Sequence, residues 1–125
     1  MIFIIYSWTW QKDPTVTIKT NKGEVIGFGF LHPYSPIPTF KRVAEIVYFI
    51  RPEYTGKGVG SAILEHLIQE AKKLNIDSIL AHISSLNEKS INFHAKHGFV
   101  ECGRFRRIGR KFSKDFDVVW MQREI

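Results

Sequence analysis

Apolar and polar residues alternate with a period of two through "TVTIKT", Thr15 to Thr20. The pattern stops at the polar "NKG" of Asn21 to Gly23 and resumes in "EVIGFGFL", Glu24 to Leu31. Two such runs across a short Gly-containing turn predict a β-hairpin. "HPYSPIP", His32 to Pro38, holds three prolines in seven residues and predicts a loop, because proline lacks the N–H that regular structure needs. "AEIVYFI", Ala44 to Ile50, is β-branched and aromatic and predicts a strand closed by Pro52. The period then changes. Val59, Ile63, Leu67, Ala71 and Leu74, with Leu64 and Ile68 beside them, recur at helical spacing.

"SILAHI", Ser78 to Ile83, predicts another strand, and "EKSINFHAKH", Glu88 to His97, a second helix. Asn87 is its expected N-cap and Gly98 its left-handed stop. "FVECGRFRRIG" and "DFDVVWMQRE" are the last strand candidates, joined by a basic, polar connection. The order β-β-β-α-β-α-β-β predicts a mixed α/β (α+β) fold. At 125 residues the chain, 1–125, reads as a single domain with one core.

Composition narrows the function classes. Hydrophobic residues make up 44% and charged residues 24%, a globular rather than disordered balance. No apolar run approaches the roughly 20 residues that span a bilayer, and "MIFII" has neither the basic leader nor the length of a signal peptide. The one cysteine, Cys102, excludes an internal disulfide framework and points to a cytoplasmic protein. The net charge of +6 suits nucleic acid or a small anionic ligand equally well.

The chemistry begins at "RPEYTGKGVGSAILEHLIQEAKKL", where Gly56, Gly58 and Gly60 stand just where the long helix starts. Strand, Gly-rich turn and helix N-terminus together hold phosphates: the first turn leaves backbone N–H groups unpaired, and the dipole adds positive potential. Glycines keep Cβ atoms away from those donors, and Lys57 adds a cation. The G-x-G-x-G spacing is neither a Walker loop nor G-x-G-x-x-G. Alone, the turn is also compatible with a tight strand-to-helix connection that binds nothing.

A second motif follows. "NEKSINFHAKHGF" places Asn87, Ser90, His94, Gly98 and Phe99 at the spacing N-x-x-S-x-x-x-H-x-x-x-G-F, and "TGKGVG", Thr55 to Gly60, stands near R/Q-x-x-G-x-G/A. On these residues the chain resembles the GNAT superfamily of acetyl-CoA-dependent N-acetyltransferases. "INFHAKHGF" with "GRKFSKDFDVVWMQ" looks most like the branch that acetylates phosphinothricin, methionine sulfone and related amino acids. The resemblance covers about Thr15 to Ile125 and implies a mainly antiparallel central sheet with flanking helices. Two departures stand out. Thr55 replaces the motif's Arg or Gln. Only fourteen residues precede Thr15, where the family places a strand and two helices. A shortened N-terminal region is therefore expected, with "MIFIIYSWTW" giving a replacement strand or part of one helix, or a homodimer covering the open face.

The resemblance implies direct attack of a primary amine on the acetyl thioester, with both substrates bound, no acyl-enzyme and no metal. Cys102 is then a bystander. Backbone groups of Tyr48, Phe49 and Ile50, on a strand splayed from its neighbour, would bond the pantetheine arm. Thr55, Gly56, Lys57, Gly58, Val59, Gly60 and Ser61 would hold the diphosphate, and Asn87 would contact the cofactor as well as cap its helix. Glu45 occupies the place of the family's general base. An ordinary charged strand residue, or one that binds the substrate ammonium, is the other reading. His94 stands where many members carry a Tyr that protonates the thiolate; it reads as a proton donor or relay, or as a packed core residue. His97 reads as a cap for exposed carbonyls. Phe40 and Arg42 would shape the acceptor pocket, Arg42 through a bidentate pair with a carboxylate. The basic run Arg104 to Lys111 is a solvated strand and loop or a source of positive potential for the acidic cofactor.

Three alternatives share the sequence: acetylation of a protein N-terminus or lysine, a catalytically silent acyl-CoA-binding domain, and a nucleic-acid binder. No recognised nucleic-acid motif accompanies the charge, so the last is disfavoured.

Overall fold

In the computed structural model, residues 3–10 and 13–125 are described, and they form seven strands and two α-helices. The chain divides into two compact units, one running up to Asp77 and including Ile125, the other Ser78–Glu124.

The first unit carries four strands in the order β1 (Phe3–Trp10), β2 (Asp13–Thr20), β3 (Val25–Pro33) and β4 (Val43–Ile50). All three pairings are antiparallel. The segment read as a replacement strand or partial helix is a strand, in register with β2 from Phe3↔Thr20 to Trp10↔Asp13; Met1 and Ile2 lie outside the described residues. Helix α1 (Val59–Lys73) packs on β2, β3 and β4. Its apolar stripe, Val59, Ile63, Leu64, Leu67 and Ala71, is buried with Val16, Ile18, Ile26, Leu31 and Ile46 of the strands. Val16 and Ile18 pair with Gly29 and Gly27, and Leu31 pairs with Ile46, so period two puts these four side chains on the side that Gly27 and Gly29 turn to the helix.

β3 runs two residues further than the alternation suggests. His32 and Pro33 belong to the strand, opposite Glu45 and Ala44 of β4, so the predicted loop shrinks to the turn after Pro33 and a short 3-10 helix at Pro38–Phe40. Pro33 is tolerated because it ends the strand.

The second unit carries β5 (Ser78–Ser84), β7 (Lys114–Glu124) and β6 (Val100–Lys111), in that order and antiparallel, with α2 (Glu88–Lys96) between β5 and β6 in sequence. The basic connection expected between the last two strands is mostly strand. Only Phe112 and Ser113, at φ 51° and 61°, make the turn. β6 is exposed along nearly its whole length and its register slips twice, so it shows no alternation to read. The second slip is held by Asp117, whose carboxylate accepts from the Arg107 amide at 2.7 Å and from Arg104 at 2.9 Å. Those two donors hold the Asp117 carboxyl below its ordinary pKa.

Candidate functional site

The Gly-rich turn has the geometry that its composition suggested. After β4, a 3-10 turn at Pro52–Tyr54 hands over to Thr55, extended at φ −70°, ψ 149°. Gly56 follows at φ 74° and Gly58 at φ 84°, the left-handed region that bulky residues avoid. A Cβ at either position would meet nothing within 4 Å. Packing therefore does not demand glycine here. Backbone conformation does, and the space where those Cβ atoms would stand is open.

Gly58 is the N-cap of α1 and, having no side chain, gives the helix no side-chain cap. The Ala62 amide reaches back to the Gly58 carbonyl at 3.1 Å. Ahead of it, the amides of Val59 and Gly60 have no intrahelical acceptor. No acidic residue lies in the first turn. Donors, helix dipole and open space fit a diphosphate. Ser61 lies in this first turn. Lys57 folds its ammonium over the Tyr54 ring at 5.6 Å. The Thr55 hydroxyl donates to the Pro52 carbonyl at 2.8 Å, so it braces the turn.

Tyr48, Phe49 and Ile50 end β4, paired with Gly29, Phe28 and Gly27 of β3. Phe49 is exposed and stacks on Phe28, with ring centroids 5.0 Å apart. Glu45 lies earlier on the same strand and is 7% exposed. Its Oε2 is 3.4 Å from Nε2 of His32, its register partner on β3. Sequence reasoning missed His32, because the prolines around it hid the strand it belongs to.

The two residues expected to shape the acceptor pocket are placed differently from each other. Phe40 meets Tyr34 edge-on at 5.7 Å. Arg42 puts Nε 3.7 Å from Asp77 and lines a cavity of about 620 Å³ whose wall includes neither Phe40 nor Glu45.

In the second unit, Asn87 caps α2, its Oδ1 accepting from the Ser90 amide at 3.1 Å. His94 is 2% exposed, edge-on to Phe93 and Phe99. Its Nδ1 lies 2.7 Å from the Ser90 carbonyl, which can only accept, so Nδ1 carries the proton and Nε2 is the acceptor nitrogen of the neutral ring. Burial pushes the His94 pKa down; the Ser90 bond opposes this, and the nearby His97 adds to it. His97 donates to the Phe93 carbonyl at 2.8 Å, the capping role expected of it. Arg123, not foreseen, closes the same helix end by donating to the His97 carbonyl at 2.9 Å.

The Acetyltransferase (GNAT) family matches residues 3–99. The chain belongs to the GNAT family. Two relatives and one solved structure are informative about which members of GNAT it is similar to. A phosphinothricin N-acetyltransferase of Streptomyces coelicolor is 30% identical over 88% of this chain and 64% of its own length. An L-methionine sulfoximine/L-methionine sulfone acetyltransferase of Pseudomonas paraeruginosa is 30% identical over 90% of this chain and 65% of its own. A crystal structure of a GNAT phosphinothricin acetyltransferase from Sinorhizobium meliloti in complex with acetyl-CoA superposes with a TM-score of 0.85 at 27% identity, covering 90% of this chain and 61% of that one. This GNAT chain thus spans slightly less than two thirds of the curated relatives' length.

Proposed function

We propose that the chain transfers the acetyl group of acetyl-CoA to the primary amine of a small amino acid or analogue, of the phosphinothricin or methionine sulfone type. The observation that carries this reading is the turn at Gly56 and Gly58, whose positive φ angles open into a helix start without a side-chain cap, in a chain of the GNAT family. The names of the similar proteins supply the acceptor class.

Bound acetyl-CoA would supply the thioester that the amine attacks, with both substrates held together. The chain's own residues divide the remaining work. Amides of Val59, Gly60 and Ser61, with Thr55 to Gly58 leading into them and Lys57 nearby, bind the diphosphate. Backbone groups of Tyr48, Phe49 and Ile50 orient the pantetheine arm. Glu45, nearly buried, takes the proton that an ammonium must lose before its nitrogen can attack. In unit 2, a neutral His94 with its Nδ1 proton committed to Ser90 is suited to accept a proton rather than donate one. Asn87 acts by holding the start of α2. Phe40 and Arg42 remain the acceptor-side candidates.

The test is acetyl-CoA-dependent thiol release against a panel of free amino acids and analogues, methionine sulfone and phosphinothricin included. Turnover on at least one of these is expected. Stabilisation by acetyl-CoA in a thermal melt, with no turnover on any amine, would replace this reading with a silent acyl-CoA-binding domain.

A further inference from the structure

His32 touches oxygen acceptors with both ring nitrogens. Nδ1 lies 3.0 Å from the carbonyl of Pro33, and Nε2 lies 3.4 Å from Oε2 of Glu45. A carbonyl only accepts, so Nδ1 carries a hydrogen. A neutral imidazole has only one, which leaves a lone pair on Nε2 facing a carboxylate oxygen. Two lone pairs at that distance repel. One added proton reverses the sign of the contact, whether it sits on Nε2 or on Oε2. The cross-strand pair is therefore arranged so that gaining a proton is what makes it attractive.

The two members also differ in access to water. The Glu45 side chain is 9% exposed and that of His32 is 39% exposed. A proton drawn onto the carboxylate must leave before the next turnover, and the half-exposed ring offers a way out. The strands fix the pairing, since His32 and Glu45 are directly opposed in the β3–β4 register. The Phe30 ring, 6.2 Å from the His32 ring, flanks it along β3.

We propose that His32 is the positioning residue of Glu45 and the second acceptor of the proton that Glu45 takes from the amine. The proposal rests on the reading of Glu45 as general base. The substrate N–H bond breaks and its proton passes to Glu45. The Oε2–H bond then breaks as Nε2–H forms, restoring the carboxylate and leaving an imidazolium. That ring releases one proton to solvent, and no other bond changes.

Two measurements test it. In steady-state kinetics, His32→Ala should lower kcat by about tenfold or more and leave KM for acetyl-CoA within about twofold. His32→Gln should remain as slow, because its amide can donate to Oε2 but cannot carry a proton. Wild-type turnover in either variant overturns the proposal. The second measurement needs no turnover: ring ¹⁵N resonances of the intact protein, with and without Glu45→Gln. Expected are a proton on Nδ1 of His32 and a displaced Nε2 resonance in the variant, with His97 unmoved. An Nε2–H tautomer, or a His32 ring indifferent to Glu45→Gln, overturns the pairing and leaves the acetyltransferase reading standing. Wild-type turnover by Glu45→Gln removes the base assignment, and this proposal falls with it.

Discussion

A Cβ added to Gly29 of β3 would stand 2.5 Å from Cγ2 of Ile63 on α1. Ile63 is fully buried, so the helix lies against bare backbone at that point. Gly27, two residues earlier on the same side of the strand, is nearly as tight: its Cβ would be 3.2 Å from Cγ1 of Val59. The alternation Gly27-Phe28-Gly29-Phe30 thus gives β3 a bare side for the helix and an aromatic side facing the other way. Val59 is also the first residue of α1 after the Gly-rich turn. The strand glycines set the height of the helix, and its first turn holds the amides proposed to bind the diphosphate.

Gly29→Ala should therefore destabilise the protein by about 1–3 kcal/mol, the ordinary cost of overpacking a close-packed core. A urea midpoint measurement checks this. An unchanged midpoint would mean that α1 can lift off β3 freely, which its close contacts argue against.

Gly58→Val places a β-branched residue at φ 84°. Left-handed backbone costs about 1–2 kcal/mol for a residue with a Cβ, so the variant should fold with a lowered melting temperature. Beyond its chain neighbours, no atom of the described residues lies within 4 Å of the new Cβ, so the side chain enters the open space assigned to the ligand. Coenzyme A affinity by calorimetry should fall at least tenfold. Gly58→Asn, which tolerates this conformation better, should regain stability but not full affinity. Equal recovery of both would assign the glycine to backbone conformation alone.

His94 links stability to pH. Its folded-state pKa is depressed, first by burial, from the ordinary 6.5. The unfolded chain therefore takes up the proton first on acidification, and stability falls as pH drops below about 6.5 toward the folded value. Above 6.5 the contribution is complete. Chemical denaturation between pH 7.5 and pH 5.5 should show this loss, and His94→Gln should show a shallower slope even though it is less stable at pH 7.5. Parallel slopes would remove His94 as the source.

Asn87→Ala should cost about 1 kcal/mol, since its Oδ1 accepts the Ser90 amide at the start of α2. Asn87→Asp restores the acceptor and should restore the melting temperature. If coenzyme A affinity returns with it, the cap is the whole role of this residue. If affinity stays low, the amide of Asn87 meets the ligand.

Local chemistry is what the sequence made legible. Helix α1 follows from unbroken periodicity after the Gly-rich turn, α2 from Asn87 and Gly98 at its ends, and the turn itself from composition. Features set by pairing between distant residues were hidden. Pro33 and Pro36 marked His32 as loop, and nothing local shows that β4 would hold it in register with Glu45. Nothing local shows why Gly27 and Gly29 must be bare, because that need comes from Val59 and Ile63, more than thirty residues later. β6 runs only two residues past the Gly109 end expected of it, and its turn uses Phe112 and Ser113 at positive φ where Gly or Asn would have announced it. Arg42 is an instructive case. Its type suits a substrate carboxylate, yet an acid of its own chain, Asp77, lies within 3.7 Å.

Glu45→Gln separates chemistry from binding most directly. The substitution keeps size and hydrogen-bonding capacity but removes the group that accepts a proton. Glu45 is almost buried in β4, five residues before the strand end that leads into the Gly-rich turn. The amides proposed to hold the diphosphate begin at Val59 and depend on helix geometry that this change leaves alone. Turnover should therefore fall by about 10²–10⁴-fold, the usual worth of a positioned general base, while acetyl-CoA affinity stays within about twofold by calorimetry. A strongly basic assay pH should narrow the gap, since more of the amine then arrives already deprotonated. A variant that loses affinity and turnover by the same factor would show that Glu45 serves structure or ligand binding, because a group acting only on the proton has no means of weakening the cofactor.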